Sequence, residues 1–155
     1  MDTEQDLVDD ATVTPLPLDG IRVIEFCHMV MGPTCGMILA DLGADVIKVE
    51  PLHGDTTRRL VHQGAGFFAS YNRNKRSIAL DIKSPQGLDA AKRLVLDADV
   101  VVENLRPGAL AAAGLGYEGL RAHNPGLVYC ALKGFLNGPY AVPVPAALTA
   151  ETRNV

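Results

Sequence analysis

The chain has no tryptophan, few aromatics (5%) and only three cysteines in 155 residues. Cys27, Cys35 and Cys130 are an odd set without C-x-x-C spacing. That argues against a disulfide framework or a zinc site and suits thiols kept in a reducing cytoplasm, the expected location. His53, His62 and His123 are scattered without metal-ligand spacing, so no metal is expected. No apolar run approaches the roughly 20 residues that span a bilayer. The start, "MDTEQDLVDD", lacks a basic region followed by an apolar run, which argues against a secretory signal.

Charge of one sign is also scarce once its position is considered. The net charge is −4, yet residues 1–10 alone hold five acids and no base. The remainder carries 13 acids against 14 bases and gives no global signal for nucleic acid. Residues 1–17 are therefore expected to form an acidic, solvated arm. With 48% hydrophobic residues, the rest is of ordinary composition for one globular domain.

What is present is alternation. "IRVIEF" (21–26), "DVIKVE" (45–50), "SIALDI" (77–82), "DVVVEN" (99–104) and "LVYCAL" (127–132) are short, β-branched and largely apolar, and each predicts a strand. Between them, "GPTCGMILADLGA" (32–44) has helical apolar spacing with Gly43 suited to its end. Ser84-Pro85 supplies an N-cap and an N1 proline for a helix striped by Leu88, Ala91, Leu94, Val95 and Ala98. "PGALAAAG" and "YEGLRAHN" predict two shorter helices, and residues 51–70 a long loop with room for one more. Strands separated by such helices predict βαβ units: a Rossmann-like α/β fold with an open, mainly parallel sheet and flanking helices.

Ligands of such sheets bind beyond the carboxyl ends of the strands. His28 follows the first predicted strand, Asp81-Ile82-Lys83 end the third, Asn104 and Arg106 follow the fourth, and Lys133 the fifth. Polar residues follow many strands because loops are solvated, so the set carries more weight than any member. The basic stretch "NRNKRS" (72–77), with Arg58, Arg59 and Lys83, offers charge for phosphate groups or is a solvated turn. Cys27 and His28 are adjacent on an extended run and point to opposite faces, which argues against a Cys–His pair. A dinucleotide site is disfavoured too. The turn "HMVMGPTCG" lacks G-x-G-x-x-G, and Pro33 removes an N–H.

Four blocks in order, "LDGIRVIEFCHMVMGPTCGMILADLGADVIKVEP" (18–51), "NRNKRSIALDIKSPQG" (72–87), "DADVVVENLRPGALAAAGLGYEGL" (97–120) and "NPGLVYCALKGFLNGPY" (124–140), together resemble the N-terminal part of family III CoA-transferases. This superfamily includes formyl-CoA transferases, carnitine CoA-transferases and acyl-CoA racemases. The resemblance implies a Rossmann-like large domain joined to a smaller one, in an interlocked homodimer. It implies acyl-CoA and a carboxylic acid as substrates; the composition and spacing above already give no expectation of a nucleic acid, membrane or metal partner. Carried onto matching positions, coenzyme A contacts are implied at His28, Val30 and Met31, at Leu80, Asp81, Ile82 and Lys83, and at Asn104, Leu105 and Arg106.

The resemblance also implies the chemistry. An aspartate attacks the acyl-CoA, forming a mixed anhydride that the CoA thiolate converts to an enzyme-bound thioester. The incoming acid then collects the CoA. That aspartate, and the histidine of the racemase branch, are expected beyond the "GPY" block, so no catalytic residue is assigned here. Residues 18–140 are expected to be the domain's N-terminal part. Residues 141–155, Pro/Ala-rich and unlike any family block, are expected to be a tail introduced by a disrupted reading frame or a truncation. The chain is accordingly expected to be inactive alone. The alternatives are a racemase-branch fragment and a non-catalytic CoA-binding remnant.

Overall fold

The computed structural model describes residues 14–60 and 66–133. Five strands form one sheet: β1 (Arg22–Phe26), β2 (Asp45–Glu50), β3 (Arg76–Ala79), β4 (Val100–Glu103) and β5 (Val128–Ala131). Their order is β3-β2-β1-β4-β5 and every pairing is parallel. All five carboxyl ends therefore lie along the same rim. The helices are α1 (Met31–Asp41), α2 (Phe67–Asn72), α3 (Pro85–Leu96), α4 (Ala109–Ala112) and α5 (Tyr117–Arg121), with a 3-10 turn at Thr56–Arg59.

The strand side chains alternate between two cores. On one face Ile24, Phe26, Ile47, Val49 and Val101 meet Ala91 and Val95 of α3, Leu110 of α4 and Leu120 of α5. On the other, Val23, Val46 and Val102 pack with Ala40 and Leu39 of α1. Val23, Val101 and Val102 are fully buried, each contributing on the order of 2 kcal/mol by removal from water. Burial on both faces explains why the strands read as apolar runs rather than alternating ones.

Local signals set the boundaries. Ser84 caps α3 by accepting from the Gly87 N–H at 3.1 Å. Past α1, Gly43 adopts φ +104°, which a side chain would resist. The third strand ends three residues sooner than its apolar pattern predicts. At Asp81 the chain turns instead: its carboxylate accepts from the Lys83 N–H at 3.0 Å and its carbonyl from the Ser84 N–H at 3.0 Å. The first thirteen residues of the acidic arm, all of "GFLNGPY" and the tail after Tyr140 lie outside the described residues.

Candidate functional site

The strand order reverses at β1, whose neighbours are β2 on one side and β4 on the other. The loops leaving β1 and β4 meet there. His28 donates its backbone N–H to Asn104 Oδ1 at 2.9 Å, and Asn104 Nδ2 donates back to the His28 carbonyl at 2.9 Å. A sheet crevice at a reversal of strand order is where open α/β folds bind ligands. Met29 is held at φ +64°, an uncommon backbone conformation for a long side chain. Gly32 lets the first turn of α1 close onto the crevice, since a Cβ there would overlap Cys27 Sγ and lie 2.9 Å from Asn104 Cγ.

The β4 loop is held from beneath by Glu103. One carboxylate oxygen accepts from the Leu105 N–H at 2.9 Å. The other accepts from Lys133 Nζ at 2.5 Å, and that ammonium also donates to the Leu105 carbonyl at 2.8 Å. Lys133 is thus a structural partner of this loop.

His28, Val30 and Met31 lie at the β1–α1 connection and Asn104, Leu105 and Arg106 on the loop leaving β4, joined by the His28–Asn104 pair. Leu80, Asp81, Ile82 and Lys83 follow β3, three strands away from β4, or about 14 Å along the rim. They abut the start of α3, where a Cβ at Gly87 would overlap the Asp81 carbonyl. The ten residues form two groups on one rim, a span suited to an extended ligand. The side chains of His28, Val30, Met31, Lys83 and Arg106 are exposed. Among the described residues neither Lys83 nor Arg106 pairs with a carboxylate.

Beneath the β1 loop lies a chain of buried charges that the sequence reading passed over. Glu25 is 0% exposed and Lys48 1%, and the Lys75 side chain is 2% exposed. Lys48 Nζ lies 3.2 Å from Glu25 Oε1, 3.1 Å from Asp55 Oδ2 and 2.6 Å from the Cys27 carbonyl. The Asp55 contact is an ion pair outside hydrogen-bond geometry. Lys75 Nζ lies 2.6 Å from Glu25 Oε2, 2.7 Å from the Pro33 carbonyl and 3.2 Å from Asn72 Oδ1. Burial pushes the Lys75 ammonium below its ordinary range, against the pull of Glu25. Burial also pushes the Asp55 carboxyl up, but the Thr57 N–H and hydroxyl and Lys48 outweigh it and hold it low. One signal for this chain existed. "VIEF" and "VIKV" each carry one charge inside an apolar run, of opposite sign, and Glu25 and Lys48 are register partners in the sheet.

The three cations of the basic stretch each face a carboxylate, Lys75 that of Glu25. Arg73 pairs with Asp41, and Arg76 with Asp45 at 2.5 Å. Arg58 grips Glu50 with a forked pair at 2.8 and 2.6 Å. Burial raises the Glu50 carboxyl, but Arg58, the Ser77 hydroxyl and the Asp55 N–H overcome it and bring it to about 2. Burial first, and then Glu25, drive the Cys27 thiol far above its ordinary value, so no thiolate stands beside His28.

Two hollows among the described residues lie away from this rim. One, of about 420 Å³, sits at the amino ends of the strands between Asp19, Asp45, Asp97 and Asp99. The other, of about 280 Å³, lies between Ile78, Arg93, Leu94 and their neighbours. The four aspartates of the first outnumber Arg22, the one cation lining it, and disfavour an anionic ligand. The rim with its open loops and unpaired cations remains the better candidate.

The sequence and the fold resemble those of known proteins. Residues 18–149 match the family model described as CoA-transferase family III. A succinate–glutarate CoA-transferase from Agrobacterium fabrum is 48% identical over 137 residues, covering 81% of this chain and 34% of its own. A formyl-CoA:oxalate CoA-transferase from Rhodopseudomonas palustris is 44% identical over 128 residues, covering 79% and 30%. The chain thus spans about a third of the length of these curated relatives. The crystal structure of a CAIB/BAIF family protein from Brucella suis superposes with a TM-score of 0.77 at 44% identity, over 84% of this chain and 37% of that one.

Proposed function

The chain belongs to CoA-transferase family III, and on that premise we propose that its strand-end rim is the coenzyme A-binding part of an acyl-CoA:carboxylate CoA-transferase. The observation that carries this reading is the crevice between β1 and β4, where His28 and Asn104 are mutually hydrogen-bonded and flanked by exposed Arg106. His28, Val30 and Met31 line it from one side, and Asn104, Leu105 and Arg106 from the other. Leu80, Asp81, Ile82 and Lys83 extend the site along the rim.

The residues differ in what they can do. Arg106 and Lys83 offer charge to the phosphates of coenzyme A. Val30 and Met31 offer exposed apolar surface to the adenine or the pantetheine arm. The Asn104 carbonyl and one of its amide protons are engaged by His28, so Asn104 shapes the crevice and keeps its remaining amide proton for ligand. Asp81 accepts within its own turn and Glu103 is held by Lys133. The carboxylate that attacks the thioester is therefore sought outside the described residues.

Calorimetric titration of the chain with coenzyme A tests this reading, with Lys83→Ala and Arg106→Ala as variants. Binding is expected in the wild type. Each variant is expected to weaken it by about threefold to tenfold, with a smaller effect at high salt. No binding by the wild type, or two variants that bind as it does, overturns the assignment.

A further inference from the structure

We propose that Lys48 and Lys75 are positioning residues that set the shape of the β1–α1 loop from beneath, through hydrogen bonds to its backbone. The proposal rests on the reading that this loop receives coenzyme A, and adds residues that touch no ligand.

The geometry is specific. Each ammonium lies within 3.2 Å of three oxygens, all hydrogen-bonded except Asp55 Oδ2, which is an ion-pair contact of Lys48. Four of these six partners are side chains: the two oxygens of Glu25, one of Asp55 and one of Asn72. The other two are the carbonyls of Cys27 and Pro33, which bracket the loop. The first immediately precedes His28; the second immediately follows Gly32. The segment between them carries His28, Val30 and Met31, whose side chains are exposed. Glu25 links the two lysines, so both ends of the loop are referred to one carboxylate in the central strand. Gly36 makes room for that link under α1, since a Cβ there would overlap Glu25 Oε2.

Stability alone gives little reason for this arrangement. Taking charges out of water costs several kcal/mol per ion, and replacing a buried ion pair by apolar side chains of like volume is often neutral or better. Valine already fills the neighbouring position at Val46 on the same face. What apolar side chains cannot do is donate to the two carbonyls that bracket the loop. That donation fixes where the loop runs, and an unusual conformation such as that of Met29 persists only when its surroundings over-determine it.

The test uses the full chain with Lys48→Met, Lys75→Met and the milder Asn72→Ala, read by amide hydrogen exchange and by coenzyme A titration. Exchange is expected to rise about tenfold across residues 27–34 in the lysine variants, and about threefold in Asn72→Ala. The amides of β4 and β5 are expected to keep their wild-type rates. Affinity for coenzyme A is expected to fall in parallel with loop exchange. Unchanged exchange in 27–34, or equal acceleration through all five strands, overturns the proposal. If the lysine variants do not fold, Asn72→Ala decides by the same two criteria. Failure of the wild type to bind coenzyme A would overturn the functional reading alone, because the exchange pattern still decides the positioning role.

Discussion

His28 and Asn104 stand 76 positions apart and exchange two hydrogen bonds of 2.9 Å, joining the loops of β1 and β4 where the strand order reverses. Asn104→Ala removes both bonds and leaves the His28 backbone groups to water. A loss of about 1–2 kcal/mol is expected in urea unfolding. A stability equal to wild type would show that the pair does not couple the loops.

Two glycine replacements are expected to have opposite signs. Alanine is the better helix former, yet at Gly36 its Cβ overlaps the buried Glu25 carboxylate. Gly36→Ala should destabilise by more than about 2 kcal/mol. In α5, Gly119 has open space around it, and Gly119→Ala should stabilise by about 0.5–1 kcal/mol. Thermal unfolding of the two variants checks both.

The Glu50 carboxyl is held at about 2, below its ordinary 4.5. A depressed acid contributes stability that is fully present above its ordinary value and is lost as pH falls towards the folded one. Acid unfolding between pH 4.5 and 2 should therefore be shallower in Glu50→Gln than in wild type. Identical acid limbs would contradict the assignment.

Met29 holds a positive φ while the residue is 44% exposed. Met29→Val places a β-branched residue in that conformation and should cost about 1–2 kcal/mol, large for a surface position. Met29→Gly should cost nothing measurable. Denaturant midpoints of the two variants separate backbone strain from side-chain packing.

The fold was largely legible because its signals are local. β2 coincides with "DVIKVE", α3 begins at the Ser84-Pro85 cap, and Gly43 follows α1. The third strand was over-extended because Leu80 and Ile82 continue its apolar pattern while Asp81 turns the backbone. The candidate residues after β1, β3 and β4 were legible as residues that follow strands. Their division into two groups was not, because it depends on strand order. The buried charges were harder still. Glu25 and Lys75 are 50 positions apart, and Lys75 sits among arginines whose partners are surface aspartates. Nothing local separates the one buried cation of "NRNKRS" from the exposed ones.

The Glu25–Lys48–Lys75 chain also constrains how this sequence can drift. Loss of either lysine leaves a buried acid short of a counter-ion, and loss of Glu25 leaves Lys75 without one and Lys48 with Asp55 alone. A single exchange at any of these positions unbalances buried charge, and a joint apolar replacement would have to include Asp55 and would forfeit the donors to the Cys27 and Pro33 carbonyls. The three positions should therefore be inherited as a block, their covariation visible across distant members of the family even where the surrounding loop has changed.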